Sequence, residues 1–405
     1  MMPDLVIANA RLPGQAAAMD VALADGRIAG IARHIPSDAP RHDANGALLV
    51  AGFVECHIHL DKAGILHRAS IVEGTLKEAV AETARLKAAF TTEDVYARAA
   101  AVVEQAISHG TMAMRTFVEV DPRAGLRSFE AIKAVRAAYA QSIDIEICAF
   151  AQEGLTNEPE TQALLEAALS DGADLVGGCS YTDPDPAEHI RRIFALAERF
   201  GVAADFHVDF DLAPTGSDLP AIIAETERLG WQGRVACGHA TKFSTWAPTE
   251  RDAMADRLAE AGIGVVALPA TDLFLLGRSA ETLVPRGVAP LMALAARGVV
   301  TAVATNNVLN PFTPYGDANL LRMANLFANV SQLARDDDLE AAFAMIGARP
   351  AQLLGRPHVL TVGAAADLVL LDAPSGADAV RRCAPVLVGW KRGRLSFERP
   401  PAILR

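Results

Sequence analysis

Short apolar runs alternate with longer amphipathic stretches through the middle of the chain, and this alternation limits the fold more than any other feature. The eight apolar runs cover residues 48–56, 111–120, 143–150, 173–179, 202–208, 233–239, 263–268 and 299–305. The stretches between them are rich in Ala, Leu, Glu and Arg, and they include residues 126–140, 161–170, 187–200, 219–229, 250–261 and 290–298. Near-continuous apolar strands that alternate with helices indicate a parallel sheet. Eight such units predict an α/β fold, a closed (β/α)8 TIM barrel.

An open, doubly wound sheet is the alternative interpretation of the same alternation. Such a sheet needs a point where the strand order reverses, and it usually carries a glycine-rich first turn. No GxGxxG motif follows an early strand in this sequence. We therefore favour the barrel.

The two ends of the chain resemble each other and differ from the middle. Strand-like segments occur at residues 5–12, 19–32, 365–373 and 385–397. The dipeptides Asp25-Gly26 and Arg392-Gly393 lie where tight hairpin turns are expected. Both ends are therefore predicted to form short β-strands.

Charge and cysteine usage exclude several classes of protein. The net charge of −12 argues against nucleic acid and anionic membranes as partners. The N-terminus lacks the basic segment of a signal peptide, and no apolar stretch reaches the ~18 residues that span a bilayer. The five cysteines are scattered without a CxxC motif, as is typical of reduced thiols. We expect a cytoplasmic protein with a small-molecule substrate.

Histidines lie at the ends of three predicted strands. His57 and His59 end the first run, His207 ends the fifth, and His239 ends the sixth. Other polar residues at such ends are Gln152, Asp209, Asp272 and Asn306. Because barrel enzymes carry their active sites at the carboxyl ends of the strands, these residues are predicted to meet at one site.

The His57-Ile58-His59 segment indicates a metal site. Side chains alternate along a strand, so both imidazoles lie on one face and can hold one cation. Imidazole suits Zn, Fe and similar divalent metals. The alternative is a pair of polar side chains without a metal, and the further histidines at strand ends favour the metal site.

Six segments carry a family resemblance: GFVECHIHLDKA, AFAQEGL, ADLVGG, DFHVDF, CGHA and NNVLNPFTPYGDANLLRMA. In this order they resemble the motif series of the amidohydrolase superfamily. They are most similar to its cytosine deaminase-like branch, which also contains isopropylammelide amidohydrolase. The resemblance implies a barrel over residues 50–357. It also implies a small β-sandwich domain formed by residues 1–49 and 358–405, and a homo-oligomer.

The same resemblance implies roles for individual residues. His57, His59 and His207 would bind one divalent metal ion, Zn or Fe. His239 would lie beside the metal-bound water as the main catalytic group, and Gln152 would hold the amide-like edge of the substrate. Further expected substrate contacts are Lys62, Asp272 and Phe312. Two functions of Lys62 remain open, contact with an anionic substrate or an ion pair with Asp61 or Glu55. No lysine follows the fourth strand, so a second metal ion is not expected.

Two carboxylates of the family pattern are replaced in this chain. Asn306 stands where the last strand normally ends in a metal-binding aspartate, and Phe210 stands where the cytosine deaminase branch has a glutamate. Asparagine can coordinate through its carbonyl oxygen but cannot act as a base, and phenylalanine cannot transfer a proton. Proton transfer would then fall to His239, Asp61, Asp209, Glu153 or Asp272. Otherwise the metal is weakly held or absent, or the chemistry differs from deamination.

These features predict a metal-dependent hydrolase that acts on a C–N bond, other than a peptide bond, of a small cyclic amide or N-heterocycle. Standard cytosine deamination is not expected, because two of its carboxylates are missing. Asn306 is then a substituted member of the catalytic site. The alternative is a catalytically silent barrel that binds a small molecule.

Overall fold

A computed structural model describes residues 2–400, which begin with short strands at the N-terminal end. These strands are β1 (Leu5–Ala10), β2 (Met19–Ala24), β3 (Arg27–Ala32), β4 (Arg41–Asp43) and β5 (Leu48–Ala51). β2 and β3 form an antiparallel hairpin, and both residues of its turn, Asp25 and Gly26, have positive φ. Two such residues in succession are typical of a type I′ turn. The predicted N-terminal hairpin is therefore confirmed.

Each of the eight predicted apolar runs contributes one strand to a single parallel sheet. Its strands are β6 (Phe53–Ile58), β7 (Thr111–Glu119), β8 (Asp144–Ala151), β9 (Leu175–Cys179), β10 (Ala203–Val208), β11 (Val235–His239), β12 (Gly264–Ala267) and β13 (Thr301–Val303). They lie side by side in chain order, so the strand order does not reverse anywhere in this sheet. The doubly wound alternative is therefore wrong.

The sheet closes on itself between its first and last strands. A parallel bridge joins Ile58 to Asn306, directly after β13. Asn306 N donates to His57 O, and His59 N donates to Asn306 O, both at 2.8 Å. The predicted closed barrel is thereby confirmed, and its closure lies between two of the expected metal ligands.

The first predicted run differs from the structure in one respect. Residues 48–56 do not form one strand, because β5 pairs with a strand from the C-terminal end and only β6 enters the barrel. The break is at Gly52, where an added Cβ would lie 2.1 Å from Met112 Cγ. The chain passes so close to the barrel there that only glycine fits.

The amphipathic stretches form helices, as predicted. The helices are α1 (Leu76–Lys87), α2 (Thr92–Ser108), α3 (Arg127–Ala138), α4 (Glu160–Ser170), α5 (Pro186–Phe200), α6 (Leu219–Leu229), α7 (Pro248–Glu260), α8 (Pro269–Leu275), α9 (Leu291–Ala296), α10 (Leu320–Val330), α11 (Asp336–Ala344), α12 (Ala348–Leu353) and α13 (Gly376–Arg382). Among the described residues, none of these helices combines the length and the apolar character needed to cross a membrane.

Strands from both ends of the chain form the small domain, as the family resemblance implies. The C-terminal strands are β14 (Leu368–Leu371), β15 (Val386–Lys391) and β16 (Arg394–Glu398). One sheet has the order β3-β2-β1-β4 and the other β16-β15-β14-β5. Apolar residues of both sheets share a core, and Ile7, Val21, Leu49, Leu368 and Trp390 belong to it. The two sheets therefore pack as a small β-sandwich.

A buried lysine joins this sandwich to the barrel. The Lys391 side chain is 1% exposed, and its Nζ donates to Met112 O at 2.9 Å. The same nitrogen contacts Asp144 at 2.9 Å and Asp367 at 2.7 Å. Asp144 begins β8 of the barrel and Asp367 precedes β14, so one ammonium group connects both domains.

Replacement of this lysine tests how far the sandwich stabilises the barrel. We expect Lys391→Met to lower the free energy of unfolding by about 2 kcal/mol, because Met112 O and two partly buried carboxylates lose the cation that they share, although Asp144 keeps Arg356 and Arg392 as partners. The control is Arg394→Met at an exposed position of β16, where we expect a change of about 0.5 kcal/mol or less. Urea unfolding followed by circular dichroism measures both. Equal midpoints for the two variants would contradict a stabilising role of Lys391.

Candidate active site

Three histidines meet inside the carboxyl end of the barrel. His57 lies in β6, His59 follows this strand directly, and His207 lies in β10. The Nε2 atom of His207 lies 3.0 Å from Nε2 of His57 and 3.0 Å from Nε2 of His59. All three side chains are at most 2% exposed. The structure thus brings together the three residues that the sequence predicts as metal ligands.

The chemistry of this cluster fits a divalent cation. Burial lowers the pKa of all three imidazoles well below its ordinary value, so the rings are neutral at pH 7. A neutral ring nitrogen either donates one hydrogen or accepts with one lone pair, so His207 Nε2 cannot form two linear hydrogen bonds here. A cation that accepts three lone pairs satisfies all three Nε2 atoms at once. The group therefore has the donor set of a metal site.

Two phenylalanines pack against the rings of the histidines. The ring centroids of Phe117 and His57 are 4.2 Å apart, and those of Phe150 and His207 are 4.4 Å apart. Both phenylalanines are fully buried. The sequence analysis missed them, although alternation along β7 places Phe117 on the same face as Arg115 and Glu119.

Asn306 lies at the junction that closes the barrel. Its φ of 63° is in the left-handed region, as are those of Asp209 (52°) and His239 (69°). Asparagine and aspartate adopt this conformation more readily than most residues, and histidine is also enriched there. All three are predicted site residues, so unusual backbone conformations occur at this end of the barrel, as they also do at turns elsewhere in the chain. The Oδ1 atom of Asn306 is buried and accepts no hydrogen bond from residues 2–400.

His239 is held by a buried carboxylate. Its Nδ1 lies 2.7 Å from Oδ1 of Asp272, a fully buried residue of α8. The other oxygen of Asp272 accepts a hydrogen bond from Leu268 N at 3.1 Å. Burial raises the pKa of Asp272. The structure therefore places Asp272 against His239, whereas the sequence analysis predicted it as a substrate contact.

Phe210 covers the ring of His239. Their ring centroids are 4.1 Å apart with an interplanar angle of 43°. Phe210 occupies the position where the family resemblance implies a glutamate. This position therefore presents an apolar surface to His239, the main catalytic candidate.

Asp209 binds a loop in this structure. Its carboxylate accepts hydrogen bonds from Ser217 Oγ at 2.6 Å and from Asp218 N at 3.0 Å. Burial raises its pKa to about 6. Both oxygens are engaged with the segment that leads into α6. The catalytic role suggested from the sequence thus stays a prediction, with a structural role beside it.

Lys62, Gln152 and Phe312 lie together, as expected of substrate contacts. Lys62 Nζ is 3.3 Å from Gln152 Oε1 and 4.4 Å from the centre of the Phe312 ring. The same ammonium group forms a buried ion pair with Glu119 Oε1 at 2.5 Å. The suggested ion pair with Asp61 or Glu55 is therefore wrong, because β7 brings Glu119 to the lysine from the neighbouring strand. The sequence analysis missed this partner.

A second group of carboxylates surrounds a lysine beside the site. Lys87 Nζ, at the end of α1, is 2.7 Å from Glu119 and 2.5 Å from Glu153, and it also contacts Asp121. Burial, together with the charge of Glu119, raises the pKa of Glu153 to about 8. Lys87 therefore compensates part of the negative charge of this group. The network holds α1 against the barrel mouth.

Two helices cover the site with an apolar roof. We define the roof as Leu76, Ala79 and Val80 of α1 together with Phe274 and Leu275 of α8, which pack on Phe210 and Phe312. The site residues beneath this roof are almost fully buried. Among them Gln152 has the largest exposed fraction, 4%, in a group that also contains His57, His59, His207, His239 and Asn306. The arrangement therefore excludes bulk water from the histidines.

Comparison with known proteins shows what the chain resembles. A family model described as the amidohydrolase family matches residues 42–156 and 130–397. A pterin deaminase of Rhizobium rhizogenes is 30% identical over 382 residues, which cover 93% of this chain and 87% of the relative. The match thus extends over nearly the whole of both sequences.

Solved structures match along the whole chain. The 5-methylcytosine deaminase from Klebsiella pneumoniae, liganded with 5-fluorocytosine, superimposes with a TM-score of 0.94 at 29% identity and covers 99% of each chain. The N-isopropylammelide isopropylaminohydrolase from Burkholderia multivorans reaches a TM-score of 0.85 at 31% identity, with 98% of each chain covered. These matches confirm the resemblance that the motifs indicate.

A glycine beside His57 provides a test of the metal site. An added Cβ at Gly238 in β11 would lie 2.5 Å from Cε1 of His57, so Gly238→Ala must displace this ring. We expect the affinity for Zn²⁺ to fall about 10–100-fold, as for other changes beside metal ligands. Competition with a chromophoric chelator measures it. The control is Gly30→Ala, where the added Cβ meets ordinary contacts at 3.8 Å. Zinc affinity that is unchanged in Gly238→Ala would show that His57 does not bind the ion.

Proposed function

The chain belongs to the amidohydrolase family, and on this premise we propose that it is a metal-dependent hydrolase that cleaves a C–N bond of a small cyclic amide or N-heterocycle. The observation that carries the proposal is the convergence of three neutral Nε2 atoms beneath His239. The pterin and 5-methylcytosine deaminases among its relatives act on amino-substituted rings, which supports an N-heterocycle as the substrate.

In this proposal His57, His59 and His207 hold one Zn or Fe ion. A divalent ion bound there supplies Lewis acidity and lowers the pKa of coordinated water to about 7. Asn306 offers a neutral carbonyl oxygen as a further donor, and its buried, unpartnered Oδ1 supports that role. Because an amide cannot accept a proton as a carboxylate does, Asn306 is not the base.

His239 is the proposed general base and acid. Asp272 accepts the Nδ1 hydrogen, which leaves a lone pair on Nε2 to take up a proton at that atom. Asp272 acts as a positioning residue, since both its oxygens are engaged. Phe210 shields one face of the imidazole from water. His239 therefore exchanges its proton with the reacting groups and not with bulk water.

Lys62, Gln152 and Phe312 are the proposed substrate contacts. The amide and the ammonium group hold the polar edge of a planar ring, while Phe312 offers its aromatic face. Phe210 cannot donate the proton that a glutamate would give at this position. We therefore propose a reaction other than standard cytosine deamination.

Metal analysis and an activity screen test this function together. We expect about one equivalent of Zn or Fe per chain after reconstitution. We also expect hydrolysis of at least one compound in a panel of cyclic amides and amino-heterocycles, with activity lost after chelation. A loaded protein that hydrolyses none of them favours the alternative, a silent barrel that binds a small molecule. Activity that appears only in Asn306→Asp would further support that alternative.

Substitutions at the His239–Asp272 pair test the proposed proton transfer. We expect His239→Asn to lower kcat by about 10²–10⁴-fold, the usual contribution of a positioned acid–base group. For Asp272→Asn we expect a smaller fall in kcat, a shifted pH profile and an unchanged KM, because only the orientation of His239 is altered. The control is Asp256→Asn, which changes a carboxylate paired with Arg297 on the surface. A change in KM alone in Asp272→Asn would instead indicate a substrate contact.

A further inference from the structure

The proposed metal donors of this site carry no charge. An imidazole binds a metal ion in its neutral form, as His57, His59 and His207 would here, and the Asn306 side chain is an amide. All four side chains are buried. Because loss of a proton from coordinated water offsets one charge at most, a divalent ion held only by these groups keeps a net positive charge in a site without bulk water. Such a charge is unfavourable unless an anion lies close to it.

The carboxylates near the histidines are engaged elsewhere. Glu55 accepts hydrogen bonds from His57 N and Thr305 N, and Asp61 accepts from Lys62 N and Glu119 N. Asp209 and Asp272 likewise use both oxygens, the first for the Ser217 loop and the second for His239 and Leu268. Each therefore fixes the backbone or His239 and does not act as a free anionic ligand.

The substrate contacts present hydrogen-bond donors. Lys62 Nζ has three hydrogens, of which Glu119 and Gln152 engage two, so one remains for a ligand. Because Gln152 Oε1 faces this lysine, its NH₂ group remains as a donor, and within residues 2–400 no acceptor engages it. Lys62 thus offers a cationic donor and Gln152 a neutral one, and the two together can bind the two oxygens of a carboxylate.

From these observations we propose that the substrate is an anion, a heterocycle that carries a carboxylate group bound by Lys62 and Gln152. This inference rests on the proposed function, since it takes the metal ion from it. The negative charge of the substrate then compensates the buried ion in place of the missing side-chain carboxylate. A neutral heterocycle of the same shape leaves that charge uncompensated and binds more weakly.

The test compares matched anionic and neutral ligands by binding rather than turnover. The Zn²⁺-loaded protein is titrated calorimetrically with orotate and with the isosteric neutral orotamide, and also with acetate and acetamide, which need no ring-shaped space. We expect each anion to bind at least tenfold more tightly than its amide. We also expect this preference to fall in the metal-free protein, because ion and anion stabilise each other.

Variants assign the preference to the proposed residues. Asn306→Asp supplies the missing charge, so it should reduce the ratio of orotate affinity to orotamide affinity at least tenfold. The matched control is Asn307→Asp, which adds the same charge one residue away. The Oδ1 atom of Asn307 already accepts a hydrogen bond from Asn310 Nδ2 at 2.7 Å. We expect Lys62→Met to weaken orotate selectively, while Lys87 still neutralises Glu119.

The outcomes separate this inference from the proposed function. Equal binding of acid and amide, binding of neither ligand pair, or a preference that survives in Asn306→Asp overturns the anionic substrate. A loaded protein that prefers orotate but hydrolyses nothing supports the inference and contradicts the proposed hydrolase. Hydrolysis of neutral rings without any preference for anions supports the proposed hydrolase and contradicts the anionic substrate.

Discussion

The closure of the barrel between β13 and β6 is the contact on which the rest of the site depends. Asn306 forms backbone hydrogen bonds with His57 and His59 on the opposing strand, so one junction fixes two proposed ligands and a possible third donor. The left-handed conformation of Asn306 belongs to the same junction, and asparagine adopts it readily. A change in this closure would therefore move the proposed metal ligands, because the same residues form the backbone junction.

A buried chain of charges connects the site to its cover. Lys62 and Lys87 share Glu119, and Lys87 comes from α1, which also supplies part of the apolar roof. Charges this deeply buried are stable only with partners in good geometry. The helix that covers the site and Lys62, the proposed substrate contact, are therefore positioned by one carboxylate.

Much of the fold follows from the sequence, because apolar runs and their alternation with helices depend on local pattern. Alternation along β6 also places His57 and His59 on one face without reference to other strands. The partners of Lys62 and His239 could not be predicted in this way. Glu119 and Asp272 are 57 and 33 residues away along the chain, and only the parallel packing of neighbouring units brings them close. The break at Gly52 likewise depends on contact with Met112.

Because two expected carboxylates are replaced, membership of the family does not by itself determine which reaction this chain carries out. Asn306 and Phe210 occupy positions where a carboxylate is expected, yet each fits its surroundings: Asn306 closes the barrel, and Phe210 packs on His239 beneath the roof. The histidines and the His239–Asp272 pair are complete beside them. The site therefore retains the donors of the proposed metal site and the pair proposed for proton transfer, while two expected carboxylates are absent. In the proposed anionic substrate a carboxylate group compensates for them, because the carboxylates that remain nearby, such as Asp272, are already engaged in hydrogen bonds.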